Sequence, residues 1–334
     1  MRIVTDKREC YKLAEKFYSN ENMILGSWKI KNKLNNVFNP EKYAFFVEND
    51  DIIPLVIKHN TCYFFGGNMP FNDYNVIVKN QSLINEMFKH LKRNNYNFRL
   101  ESISNDVFYM LGKENKQFDV PYNQNWVISD IGNFNLESFI SNTKRKKRNK
   151  IKRAIKLYEH VQIKTVSNEE YTERYMNNIL HMKIKAFRLR NKINIWEKHP
   201  NLYIDMFAIF FKEYDCINKI ISIDNKIVAS YNMVISSDEI FLAFSNCYDT
   251  SIEYLQFLVY TDLLTTSITY AKFKNNNFLL NAARGNFGYK KRMGFSPTPM
   301  YAIINDTTWL KEYNKDLTQQ ETKNIYLREF GCFL

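Results

Sequence analysis

Two stretches of this chain read as the same unit, and that repetition constrains the fold more than any other feature. The first, FFVENDDIIPLVIKHNTCYFFGG from Phe45, runs as an apolar segment, a turn at Asn49-Asp50-Asp51, an apolar segment, a polar turn and an aromatic strand. The second, IISIDNKIVASYNMVISSDEIFLAFSN from Ile220, repeats that order, with turns at Asp224-Asn225 and Ser236-Ser237-Asp238. The two lie roughly 175 residues apart, a spacing that predicts a duplicated α/β module rather than one continuous core. Short apolar runs bounded by Asx turns are the mark of strands in a meander.

Helical periodicity surrounds both units. Cys10, Leu13, Ala14 and Phe17 recur at helical spacing over 6–19, and 81–94 forms another helix. In the second half, 166–190 and 204–214 read as helices, and Glu253 to Thr266 as a third. Phe98 to Ser102, Trp126 to Ser129 and Phe241 to Cys247 read as further strands. The prediction is an α/β (α+β) chain of two halves, each a mixed twisted sheet flanked by helices. A length of 334 residues suits two domains of ordinary size. The expected boundaries are 1–135, a joint helix in 136–160, a second half over 161–305, and a tail over 306–334.

The joint carries the sharpest charge run. KRKKRNKIKRAIK, residues 144–156, holds nine basic residues and no acid. Ile151, Ala154, Ile155 and Tyr158 fall at i, i+3, i+4 and i+7, so the segment predicts an amphipathic helix. Ser141, Asn142 and Thr143 precede it as possible caps. A net charge of +12 favours phosphate-bearing partners, although heavy use of Lys, Asn and Ile throughout the chain accounts for part of it.

Other classes fall away. With 45% hydrophobic residues, 22 Tyr and 26 Phe, the composition excludes a disordered chain. Five scattered cysteines without a C-x-x-C pair argue for a reducing compartment and against a disulfide framework or zinc site. The first residues lack the apolar core of a signal peptide, and the run Leu202 to Phe211 is short and broken by Asp205. A cytoplasmic protein without a membrane span is the expectation. No phosphate-loop, dinucleotide, nucleophile-elbow or H-E-x-x-H motif occurs. His59, His90, His160, His181 and His199 are isolated, so no metal is expected.

Two segments of the second half could carry chemistry. A strand ending near Cys247 feeds a helix through Ser251 to Gln256. The first N–H groups of such a helix are unpaired, and with the helix dipole they suit a pyrophosphate. FLLNAARGNFGYKKRMGF, residues 278–295, then sets Arg284, Asn286, Tyr289 and Lys290 around a Gly-rich turn. That combination suits a phosphate or carboxylate and brings a phenol close to it. A plain solvated basic turn is the competing reading.

The segment 278–295 resembles the closing motif of a GNAT-superfamily branch that includes the cellulose-cluster and biotin-cluster acetyltransferase-like proteins. Arg284, Gly285, Tyr289 and Lys290 match it, whereas Asn281 stands at its acidic position and Ala283 at its first Gly. FFGGNMPFNDY, with Asp73-Tyr74 after a Gly-Gly turn, is similar to the same branch, as is the basic helix. The tandem architecture also resembles the Fem peptidoglycan peptide transferases, which use aminoacyl-tRNA. The resemblance implies two GNAT-like halves, an acyl donor in the second half and transfer to an amine. It also implies Ser251, Glu253, Tyr254, Leu255 and Gln256 as the residues that bind the donor.

On that basis Tyr289 is the expected acid for the leaving thiolate. The base stays open among Glu239, Asp249, Glu253 and a water held by Asn246 or Asn281. Asn281 and Glu239 join Tyr289 as catalytic candidates, and Arg284, Asn286, Lys290, Asp73 and Tyr74 as substrate-binding ones. The implied donor is acyl-CoA, acetyl-CoA for example, and the acceptor a small amine, amino sugar or amino acid. The turn lacks the usual Gly-rich pattern and carries Glu253, which disfavours a pyrophosphate. Two alternatives follow: a Fem-like transferase using aminoacyl-tRNA on the basic helix, and a non-catalytic anion or nucleic-acid binder on the same fold.

Overall fold

A computed structural model describes residues 1–19, 23–67, 69, 72, 80–103, 119–189, 195–243, 247–284, 290–291 and 293–305. The chain divides into two compact units. One comprises Met1–Gln124 and Pro299–Cys332, the other Asn125–Thr298 and Phe333–Leu334.

The first unit begins with β1 (Arg2–Val4), α1 (Lys7–Tyr18) and α2 (Trp28–Phe38). A meander follows, β2 (Lys42–Glu48), β3 (Asp51–Lys58) and β4 (Thr61–Phe64). Next come α3 (Gln81–Arg93) and β5 (Asn97–Ile103), which lies parallel to β4. Asp6 caps α1 by accepting from the Glu9 N–H at 2.9 Å, and Asn80 caps α3 through the Leu83 N–H at 3.1 Å. Each bond satisfies a donor that the first helical turn leaves open. Asn49 turns the first hairpin at a φ of 54°, a left-handed conformation that Asn tolerates well. Leu83, Met87, Phe88 and Leu91 of α3 pack on Phe46, Leu55, Phe64 and Leu100 of the sheet. The late strand β13 (Ser296–Ile304) pairs antiparallel with β5.

Gly67, just past β4, has a φ of 66°, and a Cβ there would overlap the Phe38 ring. Gly67→Ala is expected to cost about 3 kcal/mol, since it adds a strained backbone to a clash in a packed ring cluster. A urea titration reads this as a lower unfolding midpoint.

The second unit repeats the plan with more helix. β6 (Asp119–Ile128) leads to α4 (Leu136–Ser141), α5 (Arg145–Lys156) and β7 (Gln162–Val166). α6 (Asn168–Glu170), a π turn (Tyr171–Tyr175) and α7 (Met176–Arg188) form one continuous rod, followed by α8 (Ile195–Lys198) and α9 (Pro200–Glu213). The meander is β8 (Asp215–Ile223), β9 (Lys226–Ile235) and β10 (Glu239–Leu242), with short β11 (Cys247–Tyr248) also on β9. Then come α10 (Leu255–Lys274) and β12 (Leu279–Arg284), which lies parallel to β10 and pairs β6 on its other side.

Alternation along these strands sorts their two faces. Tyr231, Met233, Ile240, Leu242, Leu280 and Ala282 pack with Leu255, Leu258, Val259 and Leu263 of α10. The opposite face carries Asn232, Glu239, Phe241 and Asn281, with Phe241 6.2 Å from the Phe210 ring of α9. Meander, helix and parallel strand thus occur twice, in the order the repeated sequence predicts.

The basic helix α5 forms, but not as its periodicity predicts. Ile151 and Ala154 are buried, whereas Ile155 is 45% exposed, so the apolar stripe is narrower than its spacing implies. The expected caps do not cap. Lys144 is the N-cap residue without a side-chain bond, while Thr143 and Ser141 donate back to the Ile140 and Ser138 carbonyls and close α4.

Candidate active site: a fork between two parallel strands

β10 and β12 pair through Glu239↔Leu279, Ile240↔Leu280 and Phe241↔Asn281. Beyond Phe241 and Asn281 no pair joins them among the described residues. The chain after β10 stays with β9: the Ala243 N–H donates to the Asn232 carbonyl, and β11 pairs Cys247 with Ser230. β12 swings instead towards β6, pairing Arg284 with Asn125 after a bulge. The result is a fork closed at Phe241/Asn281.

One arm of the fork has an unused backbone edge. The Asp249 N–H donates to the Val228 carbonyl on β9 at 2.7 Å. By strand alternation the Tyr248 N–H therefore faces away from β9. No strand pairs that side of β11 among the described residues. An extended ligand could lie against it as a strand would.

The other arm is bent by buried polar groups. Ala283 adopts a φ of 59°. The Asn281 side chain accepts from the Ala283 N–H at 2.9 Å and donates to the Glu239 carboxylate at 2.5 Å. The Lys290 ammonium donates to the Ala282 and Ala283 carbonyls at 2.7 and 2.9 Å. Glu239, Asn281 and Lys290 are all buried. These three predicted site residues converge on the bend. The Asn246, Asn286, Tyr289, Asp73 and Tyr74 expectations lie outside the described residues, and for Arg284 only the backbone is described.

At the mouth, the turn into α10 is ordered by Asp249, which accepts from the Ser251 N–H and hydroxyl at 2.9 and 2.6 Å. Those bonds, the hydroxyl's first, hold the Asp249 carboxyl below its ordinary range. Helix α10 starts at Leu255, two residues later than its periodicity predicts, because Tyr254 takes a left-handed φ of 66° as N-cap. The Tyr254 side chain makes no capping bond to the helix. The N–H groups of Glu253, Tyr254 and Gln256 have no backbone acceptor among the described residues. Leu255 buries its side chain in the core, and Ser251 and Glu253 are exposed.

Sequence reasoning missed Arg153. From α5 it donates to the Tyr254 hydroxyl at 2.7 Å, with its guanidinium 5.6 Å from that ring. The Tyr254 hydrogen bond, and less strongly the Glu253 charge, raise its pKa. A cation is therefore held at the turn where Glu253 argued against an anion. The basic run alone carried a signal for this, but the partner is 101 residues away in sequence.

A relay behind the fork was missed as well. The Tyr171 hydroxyl donates to Asn232 at 3.0 Å, Asn232 to Asn218 at 2.6 Å, and Asn218 to Asn168 at 2.9 Å. Tyr171 sits on the π turn, an interruption that recurs at functional sites. Asn232 is the residue whose carbonyl holds Ala243 at the fork.

Cys10, Cys62 and Cys216 are poor nucleophiles. Burial pushes the Cys10, Cys62 and Cys216 thiols up to about 12, too high for a thiolate at neutral pH. No group of three or more His, Cys, Asp or Glu side chains converges among the described residues, and no helix there is long and apolar enough to cross a membrane.

Comparison with solved structures decides the fold. The C-terminal domain of a chain assigned as a lysylphosphatidylglycerol synthetase from Agrobacterium fabrum aligns at a TM-score of 0.60, with 9% identity over 98% of both chains. FemX aligns at 0.53, with 11% identity over 93% of this chain and 99% of its own. The fold is a two-half GNAT-like one related to that of FemX. The protein named L-PGS from Bacillus licheniformis also matches, at 0.50 and 11% identity over 98% of each chain. No protein-family model and no curated protein matches the sequence. At such identities the likeness extends to the fold alone.

Proposed function

We propose that this chain is an N-acyltransferase. It carries an acyl group from an acyl-CoA such as acetyl-CoA to the amine of a small molecule, amino sugar or amino acid. The observation that carries the reading is the fork: two parallel strands part at Phe241 and Asn281, beside a backbone edge that no strand pairs among the described residues and the start of α10.

The physical roles follow. The donor's pantetheine arm lies along the β11 edge, and its phosphates meet the first N–H groups of α10 and the Arg153 guanidinium. Backbone N–H groups at the fork polarise the thioester carbonyl, an electrostatic effect that grows as charge develops on oxygen. The amine attacks the thioester carbon and loses a proton to a base, one of Glu239, Asp249, Glu253 or a water. The C–S bond breaks, and Tyr289 protonates the departing thiolate. Glu239 and Asn281 hold the strand that shapes this space. A coenzyme A donor suits a cytoplasmic reaction.

Saturating acetyl-CoA is expected to raise the melting temperature by about 5 °C, as mass action at a hundredfold excess over Kd contributes about 2.7 kcal/mol. Absence of any response to acetyl-CoA or free coenzyme A would sink the reading. Tyr289→Phe is expected to lower turnover with donor affinity nearly intact, and unchanged turnover removes Tyr289 from the mechanism.

A second reading is favoured by one observation: the run 144–156, with its nine basic residues, sends Arg153 to the same turn. An aminoacyl-tRNA donor would then bind with steep salt dependence. Salt-sensitive tRNA binding without a coenzyme A response selects it. Polyanion binding with no transfer from either donor selects a non-catalytic binder.

A further inference from the structure

The fork opens at a residue badly suited to its conformation. Ala283 has a φ of 59°. There a Cβ crowds the following carbonyl, and glycine is the natural occupant. Two carbonyls at this bend, those of Ala282 and Ala283, turn out of the strand ladder. Lys290 reaches both from seven and eight residues downstream, and its side chain is only 4% exposed. Burying an ammonium is unfavourable unless its protons are well bonded, so the arrangement is a specific one. The Asn281 side chain secures the same residue from its N–H side.

We propose that Lys290 is a positioning residue: it clamps the left-handed Ala283 bend and thereby keeps β12 away from β10, doing what a glycine at 283 would do without help. The clamp itself follows from geometry alone; only the purpose of the opened fork rests on the acyl-transfer reading. Lys290 then contributes to donor binding through the shape of β12, with its charge directed at the protein's own backbone.

The test compares Lys290→Met, Ala283→Gly and the double variant by acetyl-CoA calorimetry and thermal unfolding. Lys290→Met is expected to weaken acetyl-CoA binding about tenfold and to lower the melting temperature by roughly 5 °C, since one buried and one half-buried carbonyl lose their donor. In that background, Ala283→Gly is expected to recover most of the lost affinity, because glycine holds the bend unaided. A merely structural lysine predicts no such rescue. Losses that add in the double variant, or a Lys290→Met chain that binds acetyl-CoA like the unsubstituted protein, overturn the proposal. If Lys290→Met fails to fold, recovery of folding in the double variant supports the clamp, and failure of both overturns it. If the unsubstituted protein binds no acetyl-CoA, the donor reading falls, and the melting temperatures alone decide the clamp by the same rescue criterion.

Discussion

Asn281→Leu is expected to lower the unfolding free energy by about 3 kcal/mol and to abolish donor binding. Asn281 is fully buried, and its side chain donates to Glu239 at 2.5 Å and accepts from the Ala283 N–H at 2.9 Å. Leucine is close in size and makes neither bond. Its extra apolar contact contributes about 2 kcal/mol at most. Against this stands the half-buried Ala283 N–H, which loses its side-chain acceptor at about 1–2 kcal/mol. The Glu239 carboxylate, only 2% exposed, loses a short charge-assisted bond as well. That second loss costs roughly 3 kcal/mol. The losses exceed the gain. Since Asn281 also sits where the two parallel strands part, its loss lets β12 drift into the fork. Urea unfolding and acetyl-CoA calorimetry on the same preparation separate the two effects. Normal stability with normal binding would show that this side chain shapes nothing.

Local turn chemistry made much of the fold legible. Asn49, Asp224 and Asn225 all take left-handed φ angles, so the hairpins fall where Asx residues interrupt apolar runs. The repeated order of strands around those turns was enough to predict two halves, and the resemblance of 278–295 implied that they are GNAT-like. Local rules failed where a side chain had two possible partners. Thr143 and Ser141 look like caps for α5, yet they bond backwards and finish α4. β13 escaped notice because Pro297 and Pro299 disguise a strand. The fork itself was not readable, as it depends on which neighbour each strand chooses beyond residue 241. A one-dimensional pattern does not carry that choice. Arg153 shows the same limit, because a basic run marks a charged surface without saying that one member reaches Tyr254. Lys290 was found from the basic turn and Asn281 by resemblance, and the structure gives their side chains backbone and carboxylate partners in the protein itself.

Asn218→Leu is expected to cost about 3 kcal/mol, although it places an apolar side chain in a buried site. Asn218 and Asn232 are direct cross-strand neighbours, 0% and 1% exposed. Asn218 stands in the middle of the relay, accepting from Asn232 at 2.6 Å and donating to Asn168 at 2.9 Å. Removing it leaves the Asn232 amide without its acceptor and the Asn168 carbonyl without its donor, each a loss of about 1–3 kcal/mol. Leucine's larger apolar surface offsets only part of this. The decisive comparison is Asn218→Leu with Asn232→Leu. Taken singly, each orphans a buried partner. Taken together, they remove both halves of the bond between the two amides, so the double variant should be more stable than the two separate losses imply. A double-mutant cycle in urea is expected to give a coupling of about 1–2 kcal/mol. Additive losses would mean that the relay is a row of independent contacts. Coupled losses would mean that Tyr171, on its π turn, and Ala243, on the Asn232 carbonyl, are held by one polar unit that reaches from the helices to the fork.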